Sequence, residues 1–192
     1  MEVQPTLEFV QWSQEVNISI NIVPTEPVKA YELELFFDPS HLQVNSVEQG
    51  DFFQDYQSFY NNGTIDNING KITKLYALVL GQGDITEEGT ILILHCTTTT
   101  DIGLSPIVFS ESRITNATQY IPLNSVNGAV QVYGEFYPWD CNEDGTCNYL
   151  DISVLVFYYG TPVYPGSESA DILEDGFINY LDVSLLVNHY HL

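Results

Sequence analysis

The chain has 192 residues, 26 of them acidic and only 4 basic, for a formal charge of −22. Such a surface repels phosphate backbones and anionic lipid, which excludes nucleic acid and membrane surfaces as main partners and makes cations the expected small ones. Apolar residues make up 44%, enough for a packed core, and no apolar run is long enough to span a bilayer.

Met1 leads straight into the alternation Glu2-Val3-Gln4, with no leader legible in it. Residues 1–133 read as one all-β domain. Val16 to Ile22 alternates strictly, as a half-buried strand does, and Tyr31 to Leu35 repeats the pattern until Asp38-Pro39-Ser40 stops it. Further strands are expected at Leu42–Val47, Lys71–Leu80, Thr90–Thr98 and Val126–Tyr133. Turns are expected at Asn62-Gly63, Asn69-Gly70, Gly81-Gln82-Gly83 and Asn127-Gly128. Many short strands with such punctuation predict a sandwich of two antiparallel sheets.

Residues 134–138 form a short joint, and residues 139–192 a second, small all-α domain with helices expected at Tyr149–Tyr159 and Tyr180–Tyr190. From Pro138 onward there are nine acids and no Lys or Arg. This region is an internal repeat. Laid over itself so that Asp140 falls on Asp171, it puts Glu143, Asp144 and Gly145 on Glu174, Asp175 and Gly176, and Asn148-Tyr149-Leu150-Asp151 on Asn179-Tyr180-Leu181-Asp182. That density of identities marks a duplication.

Counted from its first Asp, the first repeat sets Asp140, Asn142, Asp144, Gly145, Asn148 and Asp151 at positions 1, 3, 5, 6, 9 and 12, with the Thr146 carbonyl at 7. A hard cation such as calcium takes six to eight oxygen ligands, and this is the spacing that supplies them from one loop. The second repeat supplies Asp171, Asp175, the Phe177 carbonyl, Asn179 and Asp182. Its position 3 is Leu173, which has no side-chain oxygen, so two calcium sites are expected, the second weaker. Neither loop has room for a long entering helix.

In the first helix Leu150, Val154 and Phe157 form an apolar stripe beyond the one needed for a core. In the second, Leu181 and Leu185 repeat its first two members and Asn188 replaces the ring. This stripe is the expected partner surface. Cys141 and Cys147, at loop positions 2 and 8, are either a loop-closing disulfide or two separate thiols. Cys96 sits mid-strand and reads as core. Asn17, Asn62 and Asn116 begin Asn-x-Ser/Thr sequons.

The C-terminal features together resemble a dockerin over Trp139 to Tyr190. The N-terminal part is similar to a cohesin, carried by Ala30–Pro39, Val47–Phe53, Gly63–Thr73 and Val126–Val130. The resemblance implies a nine-stranded jelly-roll that receives a dockerin on one sheet face, and a role in secreted or cell-surface assemblies, often for polysaccharide breakdown. It also implies that positions 10 and 11, here Tyr149-Leu150 and Tyr180-Leu181, help choose the partner, in two orientations because the pairs are identical.

The expected function is calcium-dependent protein–protein assembly, an adaptor with one socket and one plug whose partners bear cohesins or dockerins. One alternative is self-assembly, the plug of one chain entering the socket of the next. Five joint residues extend at most about 18 Å, which disfavours docking within one chain. Another is a carbohydrate-binding module, with Phe52, Phe53, Tyr56, Phe59 and Tyr60 as stacking rings. Catalysis is not expected: His41, His95, His189 and His191 show no metal or nucleophile spacing, and there is no Gly-x-Ser-x-Gly, phosphate loop or Cys-x-x-Cys.

Overall fold

The computed structural model describes residues 1–134, 137–144 and 146–190. Glu135 and Phe136 of the joint, Gly145 at loop position 6, His191 and Leu192 lie outside the described residues. The chain divides into two compact units, Met1–Val132 and Tyr133–Leu192.

The first unit is a β-sandwich. Its strands are β1 (Glu2–Gln4), β2 (Leu7–Gln11), β3 (Glu15–Ile22), β4 (Ala30–Phe36), β5 (Leu42–Gln49), β6 (Ser58–Asp66), β7 (Lys71–Val79), β8 (Gly89–Thr98), β9 (Gly103–Thr115), β10 (Tyr120–Ile121) and β11 (Gly128–Tyr133). One sheet runs β1-β3-β8-β5. The other runs β2-β11-β9-β4-β7-β6, with β10 on β9. β3 and β5 flank β8 in antiparallel register, and β9 and β7 flank β4 likewise.

Alternate side chains of a strand point to opposite faces, so the alternation read from the sequence becomes the core. Val16, Ile18, Ile20 and Ile22 of β3 join Leu33 and Leu35 of β4 and Ile72, Leu75 and Ala77 of β7 within one buried cluster. Leu92, Leu94 and Cys96 of β8 belong to the same cluster, so Cys96 is a core thiol. Burial pushes that thiol up to about 12.

Three details differ from expectation. The strand count among the described residues is eleven, not nine: the first strand is split at Pro5, with β1 pairing in one sheet and β2 in the other, and β10 is a two-residue addition. Asn62-Gly63 is not a turn but the middle of β6. Gly63 and Lys74, at the same level of the β6–β7 pair, both have positive φ (77° and 60°), so the two strands kink together and pairing continues from Thr64 with Thr73. A Cβ at Gly63 would lie 2.6 Å from the Thr73 carbonyl oxygen, which is why glycine sits there. Finally, Phe52 and Phe53 are buried, packed on each other with Phe53 against Tyr31, so they cannot stack on a sugar. Of the five rings considered, Phe59 is the exposed one, stacked on Tyr76.

The second unit holds α1 (Tyr149–Tyr158), α2 (Tyr180–Asn188) and a 3-10 turn at Glu168–Ala170. The helices stop one and two residues short of the expected ends. Tyr159 leaves the helix at ψ 134° and Gly160 follows at φ 80°. The core is the duplication itself: Cys141, Cys147 and Leu155 from the first half pack with Ile172, Ile178 and Leu186, their equivalents in the second. Cys141 and Cys147 thus occupy isoleucine positions. Of the two readings open in the sequence, the structure has the separate buried thiols, with Cys141 Sγ donating to the Trp139 carbonyl and Cys147 Sγ to that of Leu186. Between the helices, Gly160 to Val163 pairs with the second loop. The Gly160 amide donates to Ile178 O at 2.8 Å, the Ile178 amide to Thr161 O at 3.0 Å, and the Val163 amide to Gly176 O at 3.0 Å.

Candidate metal centre and docking face

Each helix begins with the same two residues doing the same work. Asn148 caps α1 by accepting the Leu150 amide on Oδ1 at 2.9 Å, and Asp151, three residues on, accepts the Asn148 amide at 2.7 Å. This reciprocal box satisfies amides that the first helical turn leaves open. The other oxygen of Asp151 accepts the Asn142 amide at 3.2 Å, so one carboxylate ties the start of the loop to the start of the helix. In the second half Asn179 caps through the Leu181 amide at 2.9 Å. Asp182 accepts the amides of Asn179 at 2.8 Å and Leu173 at 3.1 Å. Position 3 therefore serves through its backbone in both loops, and only in the first can its side chain add an oxygen.

The remaining acids bind loop amides too. Asp140 accepts the Asp144 amide at 3.1 Å. Asp171 accepts those of Asp175 at 3.2 Å and Gly176 at 3.0 Å. Asp144 takes the Thr146 hydroxyl at 2.7 Å and the Asn142 side-chain amide at 2.9 Å, and these bonds hold its carboxyl below the usual range. Burial, with the charges of Asp182 and Asp175 behind it, raises that of Asp171. The Asn179 side chain donates to the Phe177 carbonyl at 3.1 Å, and that of Asn148 approaches the Thr146 carbonyl at 3.5 Å. Asn148 and Asn179, expected as ligands, thus also serve as helix caps.

Asp140, Asp151, Asp171 and Asp182 are all buried in a segment without Lys or Arg. Buried carboxylates are held by hydrogen bonds, by protonation or by a compensating charge, and with no Lys or Arg in the segment that charge would have to be a bound cation. Among the described residues no three Asp, Glu, His or Cys side chains close into a ready cage. The carboxylates instead hold loop amides, and the oxygen donors are spread over carboxylates, amide side chains and carbonyls. That donor set, hard oxygen throughout, fits calcium.

The helices leave much of their apolar surface in solvent. Phe157 is 78% exposed, and Tyr149 and Tyr180 are both 65% exposed, with Leu150 and Leu181 beside them. Val154 and Leu185, expected on this face, are half-buried against the unit's core. Val156 and Val187 add to the apolar surface. Both are exposed and hold equivalent positions in the two repeats, and that repetition was the sequence signal for them. Leu150, Val154, Phe157 and Tyr158 line a shallow groove with Asn142 and Ser153.

The histidines form no catalytic constellation among the described residues. His95 lies between Asn17 and Glu48 at 2.8 and 2.9 Å, and His41 Nδ1 meets the Asp101 carbonyl at 3.0 Å. Among the described residues no helix is long and apolar enough to cross a membrane.

A family model described as a cohesin domain matches residues 13–132, and one described as a dockerin type I domain matches residues 138–190. No curated protein matches the chain at a significant level. Among solved structures, a non-cellulosomal cohesin from the archaeon Archaeoglobus fulgidus is 17% identical, with 67% of this chain and 86% of that one covered and a TM-score of 0.52. A novel type I cohesin–dockerin complex from Clostridium thermocellum contains a chain that is 16% identical, with 69% and 98% covered and a TM-score of 0.54. A second such complex from that organism gives 21% identity, 69% and 93% coverage, and a TM-score of 0.53. At these identities the likeness is one of fold.

Proposed function

The chain belongs to the cohesin family and carries a type I dockerin domain behind its cohesin domain, and from that premise we propose that it is a calcium-dependent adaptor, with a socket in residues 1–133 and a plug in residues 139–192. Cohesin and dockerin domains are non-catalytic assembly modules, so its partners bear the complementary domain. The observation that carries the reading is the duplicated half-module: two capped helices on two acid-rich loops, each showing solvent the same Tyr-Leu-Val surface.

In this reading Asp140, Asn142, Asp144, the Thr146 carbonyl, Asn148 and Asp151 hold one calcium. Asp171, Asp175, the Phe177 carbonyl, Asn179 and Asp182 hold a second, more weakly. Bound calcium supplies positive charge among carboxylates that have no basic neighbour. The chain's own residues do the rest. Asp151 and Asp182 couple loop to helix, the caps start the helices, and the helices present Tyr149, Leu150, Phe157, Tyr180 and Leu181 to a partner. Secretion or display at a cell surface suits such a module. The test is titration of the full chain with an isolated type I cohesin and an isolated type I dockerin, in calcium and in chelator. Binding of either probe in calcium and loss of plug binding in chelator are expected; no binding of either in calcium overturns the adaptor.

A further inference from the structure

The three Asn-x-Ser/Thr triplets all lie in the sandwich, and the fold treats them differently. Asn17-Ile18-Ser19 is part of β3 and Asn62-Gly63-Thr64 part of β6. Asn17 stands opposite His95 in the ladder, its Oδ1 2.8 Å from His95 Nδ1. Asn62 stands opposite Leu75, directly before the kink at Gly63. An enzyme that modifies either asparagine must draw a stretch of strand out of its ladder to seat the triplet, at the cost of backbone hydrogen bonds.

Asn116-Ala117-Thr118 is different. It opens the turn of residues 116–119 that joins β9 to β10, and Ala117, Thr118 and Gln119 are exposed. The turn is closed on itself, the Asn116 amide donating to the Gln119 carbonyl at 3.1 Å. The Asn116 side chain organises it. Its Oδ1 accepts the amides of Thr118 and Gln119, both at 2.9 Å, and the Thr118 hydroxyl at 3.0 Å. Three donors thus occupy the oxygen and leave the nitrogen for chemistry. Nδ2 has the exposed Glu26 carboxylate at 3.5 Å, the far limit of a hydrogen bond. A carboxamide nitrogen is a poor nucleophile because its lone pair is shared with the carbonyl. Donors on Oδ1 stabilise the charge that collects there as Nδ2 gives up a proton, and one of the three donors is the hydroxyl of the triplet itself.

We propose that Asn116 is a site of N-linked glycosylation, and that in the folded chain it is chosen over Asn17 and Asn62. The co-substrate is a lipid-linked sugar phosphate, brought by a transferase. Nδ2 forms a bond to the anomeric carbon of the sugar, the bond from that carbon to the lipid phosphate breaks, the phosphate leaves with the electron pair, and Nδ2 loses one proton to a base. A surface turn gives the attached glycan room that a ladder does not. The proposal rests on the secreted or surface-displayed placement above, since the lipid-linked donor is consumed at a membrane during export.

The test is glycopeptide mass spectrometry on the full chain recovered from its source cells, with the medium and surface fractions analysed apart from the cell interior. A sugar mass is expected on the peptide holding Asn116 and none on those holding Asn17 and Asn62. Thr118→Ala, which keeps the asparagine and its amide partners, should lose the sugar, and Thr118→Ser should restore it. Both variants should keep the circular dichroism spectrum of the parent. An unmodified Asn116 in chain recovered outside the cell overturns the proposal and leaves the secreted reading standing. Equal modification of all three asparagines overturns the claim that the turn selects. A chain found only inside the cell and unmodified removes both readings together.

Discussion

Asp151 and Asp182, at the same position of the two repeats, make the same pair of hydrogen bonds, each accepting one amide from loop position 3 and one from the helix cap at position 9. Both carboxylates are fully buried. Each is at once a candidate ligand and the joint between loop and helix, so its removal is expected to cost twice. Asp151→Ala should lower affinity at the first calcium site by more than tenfold and reduce helix content. Asp171→Ala, in the loop already short of a ligand, should do less. Calorimetry with circular dichroism checks the order; equal losses would count against the ligand assignment.

The weaker second site should be repairable. Leu173 already donates its amide to Asp182 as Asn142 does to Asp151, so only the side-chain oxygen is missing. Leu173→Asn should tighten the second site severalfold without altering the first. Two-site calorimetric fitting reads this directly, and an unchanged weak site would show that position 3 is not a ligand.

Chelation should unfold the C-terminal unit and leave the β-sandwich intact. Nine acids without a base repel one another unless a cation is bound. Cys141 and Cys147 are core residues of the second unit and Cys96 of the first. In calcium none of the three thiols should react with an alkylating reagent. In chelator Cys141 and Cys147 should become reactive while Cys96 stays protected until denaturant is added. Mass spectrometry of labelled peptides decides; protection of all three in chelator would mean that the module folds without metal.

Phe157 is the most exposed ring of the helical face and caps no core. Phe157→Ala should leave calcium binding and helix content intact and weaken partner binding by about 2 kcal/mol, the scale of an aromatic anchor at an interface. Leu181→Ala should cost less, since Asn188 stands where α2 would carry the matching ring. Loss of helix in Phe157→Ala would place the ring in the core and remove this face as the plug.

In the sandwich, Gly63→Ala should lower stability by about 1 kcal/mol or more, because its φ of 77° and the Thr73 carbonyl leave no place for a methyl group. Urea unfolding of the β unit measures it. A neutral result would mean that β6 and β7 can relax the kink.

What could be read in the sequence was what repeats at a fixed period. Strand β3 was legible because Val16, Ile18, Ile20 and Ile22 all face inward, and the helical unit because its two halves match at one constant offset. Strand β6 was lost because Asn62-Gly63 carries the local chemistry of a hairpin turn, and only the partner strand, kinked at Lys74, makes it a mid-strand feature. Strand β9 was lost because its alternation breaks at the register shift opposite Glu34 and Leu35. Helical spacing sets the direction of a side chain, not what lies opposite it: Val154 and Leu185 are half-buried against the unit's core, Val154 still lines the groove with Leu150 and Phe157, and Val156 and Val187 are exposed.

The backbone pairing of Gly160, Thr161 and Val163 with Gly176 and Ile178 gives the module a direction in time. The second loop is braced by hydrogen bonds that need no ion. The half with the poorer ligand set thus keeps a frame that does not come from its ligand, and its order outlasts the weaker ion. As calcium is withdrawn, the amides of Val163 and Ile178 should be among the last in the module to exchange with solvent.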